Sequence, residues 1–389
     1  TCTITHVADR KARLLIRRAA RRHPAALIVA TGCLASVDPD AAQAIEGVDL
    51  VISNADKPRL VEIVRQIMPA TVETPVAGPA APPVSALGRT RALLKVQDGC
   101  DRFCTYCIVP TARGRPRSLP IAAVVESVQR YVERGYQEVI LTGVCLGSYG
   151  RDWPQSHGSP LRDLVEAILR QTNLPRLRLS SIEPENLDPA ILELWSDRRF
   201  CRHLHLPLQS GCDATLRRMG RRYGAADYAR LVEQAQAIAP DAAITTDMIV
   251  GFPGETDDEF AQSLAFAQAM AFARIHVFRF SPRRGTPATR LPGRVPEAIK
   301  KERCAVLIGL SERGGRAFRQ HLVGTTREVL WQEPWPGGAL NVGVQPGQGW
   351  WWGLTDNYIR VYGMSSTDLR NRITAVRLQA MLGDGLLAL

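Results

Sequence analysis

Between residues 92 and 280 six short apolar runs alternate with stretches whose Val, Leu and Ala recur at helical spacing. The runs are 92–96, 138–142, 176–181, 203–208, 244–250 and 275–280, with helical patterns such as 121–134, 160–171 and 257–271 between them. Repeated strand–helix alternation predicts a parallel sheet covered by helices, closed into a barrel or left as an open, partial one. In such barrels chemistry gathers at the carboxyl ends of the strands. The strand-to-helix turns are therefore where reactive residues are expected.

The flanks differ. Residues 1–68 mix a basic helical stretch (10–22), short strands (27–31, 48–52) and another helix (57–68), which suggests a small parallel sheet with covering helices. Five prolines among small residues mark 69–89 as a linker. The barrel segment is 90–321 and leaves through a long helix at 296–321. From 322 to 389, β-like runs (328–331, 350–354, 358–362, 373–378) are broken by Gly and Pro, the pattern of a small β-barrel. No apolar run reaches the roughly 20 residues of a membrane span, so a cytoplasmic chain without a membrane partner is expected. The first residue is Thr1 rather than Met, and the sequence reads as missing its true beginning. Lys and Arg exceed Asp and Glu by 49 to 38. That balance suits a polyanionic partner, or simply a solvated basic surface.

An odd count of nine cysteines in a chain this long argues against a disulfide framework. Cys100, Cys104 and Cys107 follow the first barrel run directly. Three thiolates at this spacing wrap one 4Fe-4S cluster and leave one iron open. Zinc would want a fourth Cys or His nearby, and none occurs before Cys145. Phe103 and Tyr106 are placed to shield the cluster.

This Cys-x3-Cys-x2-Cys pattern resembles the radical S-adenosylmethionine enzymes. The stretches QDGCDRFCTYCIVPTARGRPR (97–117), LTGVCLGSYG (141–150), SSIEPEN (180–186), HLHLPLQSGCDATLRRM (203–219), TTDMIVGFPGET (245–256) and FRFSPRRGTP (278–287) together resemble the methylthiotransferase family within it. The resemblance implies an incomplete flavodoxin-like α/β domain, a central partial (β/α)6 barrel and a C-terminal TRAM-like β-barrel. It also implies S-adenosylmethionine as cofactor, and an electron donor such as flavodoxin or ferredoxin. A second 4Fe-4S cluster is held by three cysteines of the first domain, two of which match Cys2 and Cys33. The third belongs to an upstream segment absent from this sequence. With that ligand absent, the rival reading is a non-catalytic RNA-binding remnant.

Among the branches, TCTIT (1–5), ADRKAR (8–13) and IRR (16–18) look most like the one acting on N6-threonylcarbamoyladenosine 37 in the transfer-RNA anticodon loop. The isopentenyladenosine and ribosomal-protein branches rank behind. Resemblance to the superfamily assigns cofactor contacts to Tyr106, Gly143, Glu183, Gln209 and Asp247; the polar ones among them equally suit caps of a strand or helix. Arg113, Arg115 and Arg117 are placed to bind RNA phosphate near the cluster. Arg217, Arg218, Arg221 and Arg222 form another basic group, whose alternative is a solvated face. Trp350, Trp351, Trp352, Tyr358 and Arg360 of the terminal barrel are expected either to stack bases or to fill its core. Cys145 stands where the family usually has Asn, and Cys212 where it usually has Ser. These two, with Cys201 and Cys304, read as small packed hydrophobes. A monomer is expected.

Overall fold

The six apolar runs fold as six parallel strands in chain order. The computed structural model describes residues 1–3, 5–68, 90–154, 158–335 and 349–388; the expected linker at 69–89 lies outside them. In the first half-barrel β3 (Arg91–Asp98), β5 (Glu138–Gly143) and β6 (Arg176–Leu179) pair in parallel, with the short β4 (Arg117–Ser118) antiparallel at the edge of β3. In the second half β7 (His203–His205), β8 (Ala243–Val250) and β9 (Arg274–Arg279) pair in the same sense. Single parallel bridges, Leu177 to Phe200 and Ser181 to His205, join the halves. Among the described residues β9 does not pair with β3, so the barrel is open. β7 is shorter than the expected 203–208 run. Pro207 has no N–H for a ladder, and Gln209 takes a left-handed φ of 66°.

Helices α6 (Ile121–Glu133), α7 (Pro160–Gln171), α9 (Ala225–Ile238) and α10 (Asp257–Ala269) cover the sheet. Their apolar faces bury Val124, Val128, Leu164, Ile168, Val232 and Ala267 in one continuous core with Leu141, Leu177 and Leu204. α11 (Glu297–Leu322) packs along β9 and leads out.

Ahead of the barrel, β1 (Val29–Thr31) and β2 (Leu50–Ile52) pair in parallel. Their core is small: Ala30, Leu34, Ala35, Ala42, Ile45 and Val48. The basic α1 (His6–Arg22) buries no residue fully. α2 (Cys33–Val37) packs against α5 (Val109–Arg113), placing this unit beside the loop of three cysteines.

At the other end β10 (Thr326–Pro334), β11 (Gly349–Thr355), β12 (Arg360–Ser365), β14 (Gly385–Ala388) and β13 (Ile373–Leu382) close a barrel in that order. β14, a strand that the sequence pattern does not announce, completes the closure. Gly363 is required here, since a Cβ would lie 2.6 Å from the Trp331 ring.

The small barrel docks at the amino-terminal ends of the large barrel's strands, away from the cysteine loop. Arg176 donates to the carbonyls of Leu354 (2.9 Å) and Glu328 (2.6 Å), and Arg178 to those of Asp356 (2.9 Å) and Thr355 (3.2 Å). Tyr358 stacks on His203 with centroids 4.9 Å apart, under the Arg178 guanidinium. Tyr358 therefore serves the joint between the barrels rather than base stacking. Trp350 and Trp351 are buried. Arg360 lies over Trp352 and pairs with Asp384 at 2.7 Å.

Candidate active site

Gly99 opens the loop that carries Cys100, Cys104 and Cys107. Its φ of 78° is left-handed, and a Cβ would fall 2.0 Å from the Arg115 carbonyl oxygen, so only glycine turns the chain here. Backbone bonds then fix the loop: Cys100 N to Gly114 O at 3.0 Å and Cys107 N to Cys104 O at 2.9 Å. From the far side of the barrel, Thr105 N donates to Met219 O (3.0 Å) and Thr105 Oγ1 to Arg218 O (2.8 Å).

Each of the three sulfurs accepts one N–H donor at 3.4 Å: Arg102 N to Cys100, Arg221 Nη1 to Cys104, and Val109 N to Cys107. Such donors stabilise thiolate charge and tune a cluster held by it. All three cysteines are free. Burial pushes the Cys107 thiol up to about 12. A hydrogen bond with Cys145 is the largest influence on Cys100 and lowers its pKa, against the opposing effect of burial. Loading a cluster therefore has to expel the Cys107 proton. Three thiols in one loop, each with a charge-stabilising donor, fit a 4Fe-4S cluster with an open iron.

Beside Cys107 lies a cavity of about 210 Å³, lined by Tyr106, Gln209, Asp247, Ile249 and Phe278 among others, with Thr5 of the first unit at its rim. Tyr106 packs edge-on against Phe252, which holds its ring at the wall. Gln209 and Asp247 are tied by the backbone bond Gln209 N to Asp247 O at 2.8 Å. The buried Oε2 of Glu183 has no hydrogen-bond partner among the described residues, and burial raises this carboxyl's pKa. A buried acceptor without a donor is what an amino or hydroxyl group of S-adenosylmethionine would satisfy. Gly143 packs close on Gln97, whose Oε1 would be 3.0 Å from a Cβ.

Residues 94–267 match the Radical SAM superfamily. The threonylcarbamoyladenosine tRNA methylthiotransferase MtaB of Thermotoga maritima is 40% identical over 337 residues, covering 85% of this chain and 76% of that protein. The chain belongs to the MtaB family of radical S-adenosylmethionine methylthiotransferases. The Bacillus subtilis member is 35% identical over 393 residues, covering 97% of this chain and 84% of its own. Among solved structures, the radical S-adenosylmethionine methyltransferase TsrM of Kitasatospora setae aligns with a TM-score of 0.53. At 18% identity, over 69% of this chain and 57% of that one, it supports the fold alone.

In the first unit the residue before Cys2 packs against Cys33. Cys33 N donates to Thr1 O at 3.0 Å, and Gly32, with φ of 112°, admits the Thr1 backbone where a Cβ would lie 2.4 Å from its oxygen. Of the arginines after the loop, Arg113 is half-buried and reaches Asp98 at 3.5 Å, while Arg115 and Arg117 are exposed. Arg113 and Arg117 line a groove of about 530 Å³ with Lys57 and Lys95. The two lysines carry no motif and were found only through the fold.

Other members of the site also escape a sequence reading. Gln97 accepts from Cys145 N at 2.8 Å and donates to Gly99 O at 2.9 Å, joining the ends of β3 and β5. Asn186 takes a bond from Arg102 and donates to Cys145 Sγ (3.4 Å) and Ser148 Oγ (3.1 Å). His205 Nε2 sits 3.2 Å from Asp247 Oδ1, with His276 beside it. His203 and His205 alternate with leucines in the sequence, a pattern that suits the core or a place behind the site and names no partner.

Proposed function

We propose that this protein transfers a methylthio group to C2 of N6-threonylcarbamoyladenosine at position 37 of transfer RNA. The observation that carries the reading is the cysteine loop: three thiols, each with its own N–H donor, on a loop whose Cys107 lines a cavity, in a chain of this family. When bound there, the cluster supplies the electron that converts S-adenosylmethionine into a hydrogen-abstracting radical.

The chain's residues hold and screen. Arg102 N, Arg221 and Val109 N stabilise charge on the three sulfurs. Glu183 offers its unpartnered oxygen to the cofactor's polar end, and Gln209 and Asp247 line the wall. Tyr106 and Phe278 exclude water from the cavity. Arg113 and Arg117, with Lys57 and Lys95, offer phosphate contacts in a separate groove. A base in an anticodon loop is already unpaired, which lowers the cost of presenting it.

A second 4Fe-4S cluster at Cys2 and Cys33 is part of the proposal. Cys2 and Cys33 would supply two of its thiolates from the unit whose Thr5 lies at the cavity rim, and it would supply the sulfur to be methylated. The reaction further calls for an external one-electron donor, a flavodoxin or ferredoxin. We place the protein in the cytoplasm as a monomer; no helix among the described residues is long and apolar enough to cross a membrane.

The test is nucleoside mass spectrometry of transfer RNA from a strain lacking its own enzyme and supplied with this gene. Methylthio-threonylcarbamoyladenosine should appear. Methylthio-isopentenyladenosine in its place would move the protein to the neighbouring branch.

A further inference from the structure

The cysteine loop has two sides. Its Cys107 side, with Ile108 and Val109, faces the cavity. Its other side carries Phe103, whose side chain is 79% exposed although it stands between two cluster cysteines. It is the most exposed large hydrophobic side chain among the described residues.

The short helix α8 (Asp213–Met219) ends against this side. Its cap Gly220 lies against Phe103, with the position of a Cβ 3.5 Å from the Phe103 carbonyl oxygen. Two arginines of this segment turn inward: Arg218 pairs with Glu259, and Arg221 with Glu185 (3.3 Å) and Cys104 Sγ (3.4 Å). The other two, Arg217 and Arg222, are exposed and form no ion pair among the described residues. A solvent-facing aromatic thus lies on the loop packed against Gly220, in a turn flanked by two exposed cations, and Arg221 of the same turn reaches Cys104.

We propose that Phe103, Arg217 and Arg222 form the docking surface for the one-electron donor, a small acidic flavodoxin; this rests on the radical reading above. Placement favours a donor over RNA. The base must reach the cavity on the Cys107 side, whereas an electron can enter from the opposite face through Cys104. Electron-transfer partners use small, weak, electrostatically steered contacts, which a single aromatic with a basic rim supplies. One electron leaves the donor's reduced flavin, which is oxidised by one unit, and the cluster is reduced by one; no atom is transferred.

The experiment measures 5′-deoxyadenosine formation by the reconstituted full chain with two kinds of reductant. One is reduced flavodoxin. The other is dithionite or reduced methyl viologen, small reductants of opposite charge that need no docking. In R217E/R222E the flavodoxin KM should rise at least tenfold and lose its dependence on salt. Rates with both small reductants, and the transfer-RNA Kd, should stay within twofold. The milder R217Q/R222Q, with a smaller rise, guards against misfolding. An unchanged flavodoxin KM overturns the proposal, and an unchanged KM with lost RNA binding assigns the surface to RNA instead. No product with any reductant in the unaltered chain would instead overturn the radical reading itself.

Discussion

Glu138 and Arg178 pair at 2.9 Å with both side chains almost wholly buried, and the same guanidinium reaches out of the large barrel to two carbonyls of the small one. Burial opposes ionisation of Glu138, but the charge and hydrogen bond of Arg178, with the charges of Arg176 and Arg91, together outweigh it and the carboxyl's pKa is lowered. Breaking a buried pair from one side costs about 3–5 kcal/mol, because the remaining charge is uncompensated. Glu138→Ala should therefore lower the urea midpoint strongly and raise hydrogen exchange at 354–358. The pH sign follows from the lowered pKa. The pair's contribution is full above the ordinary carboxylate range and is lost as pH falls through the lower folded value. Acid titration of the unfolding free energy should be shallower in Glu138→Ala over that window.

Replacing Cys100, Cys104 and Cys107 by Ala should remove the iron and sulfide of the radical cluster and all 5′-deoxyadenosine. Cys107 is pushed to about 12 by burial, so cluster loading should also release a proton that a pH-stat records. Continued 5′-deoxyadenosine formation by the triple variant would refute the assignment.

The barrel was legible because strand and helix periods alternate so regularly between 92 and 280, and because three cysteines close after a strand have few uses. What the sequence could not convey is contact across the fold. Arg176 and Arg178 stand in an apolar run with no hint that they leave it to grip the small barrel. Tyr358 could be read as stacking bases or filling the core, because aromatic content says nothing of which face is covered. Arg221 belonged to an apparent basic patch, yet it is turned inward onto Cys104. Removing residues 322–389 to test RNA binding would uncover both buried arginines and damage the barrel, so point changes are the better probe.

Arg221 donates to Cys104 Sγ at 3.4 Å and pairs with the mostly buried Glu185 at 3.3 Å. A hydrogen bond to a ligating sulfur stabilises the reduced, more negative cluster. Arg221→Met should thus shift the midpoint potential, read by electron paramagnetic resonance titration, to a more negative value. It should also lower stability by about 1–3 kcal/mol, since Glu185 loses its partner. A potential equal to wild type would mean that the contact is structural only.

His203 is buried under Tyr358 and bonds Thr245 Oγ1 at 3.1 Å. Burial first, then the charges of Arg178, His205 and His276, hold its pKa well below the ordinary value. A depressed folded pKa means that stability is full above about pH 6.5 and declines below it, by up to ~1.4 kcal/mol per pH unit. His203→Phe keeps the stacking and loses one hydrogen bond, about 1 kcal/mol. Its melting temperature should be lower at pH 7.5, yet fall less between pH 6.5 and 5. An identical slope would place the acid sensitivity elsewhere.

If Cys2 and Cys33 hold the proposed second cluster, changing them should separate radical formation from sulfur transfer. They lie on the first unit, joined through the bond from Cys33 N to Thr1 O, whereas the donors and walls that serve the radical cluster belong to the large barrel. Cys2→Ala and Cys33→Ala should therefore leave 5′-deoxyadenosine formation within a few-fold of wild type. Methylthio-threonylcarbamoyladenosine should be lost, and the iron content should fall by the share of one cluster. Each ligand bears on cluster retention, because exposed clusters with too few thiolates are lost or oxidised. Wild-type amounts of the methylthio nucleoside from either variant would show that the transferred sulfur is held by other residues.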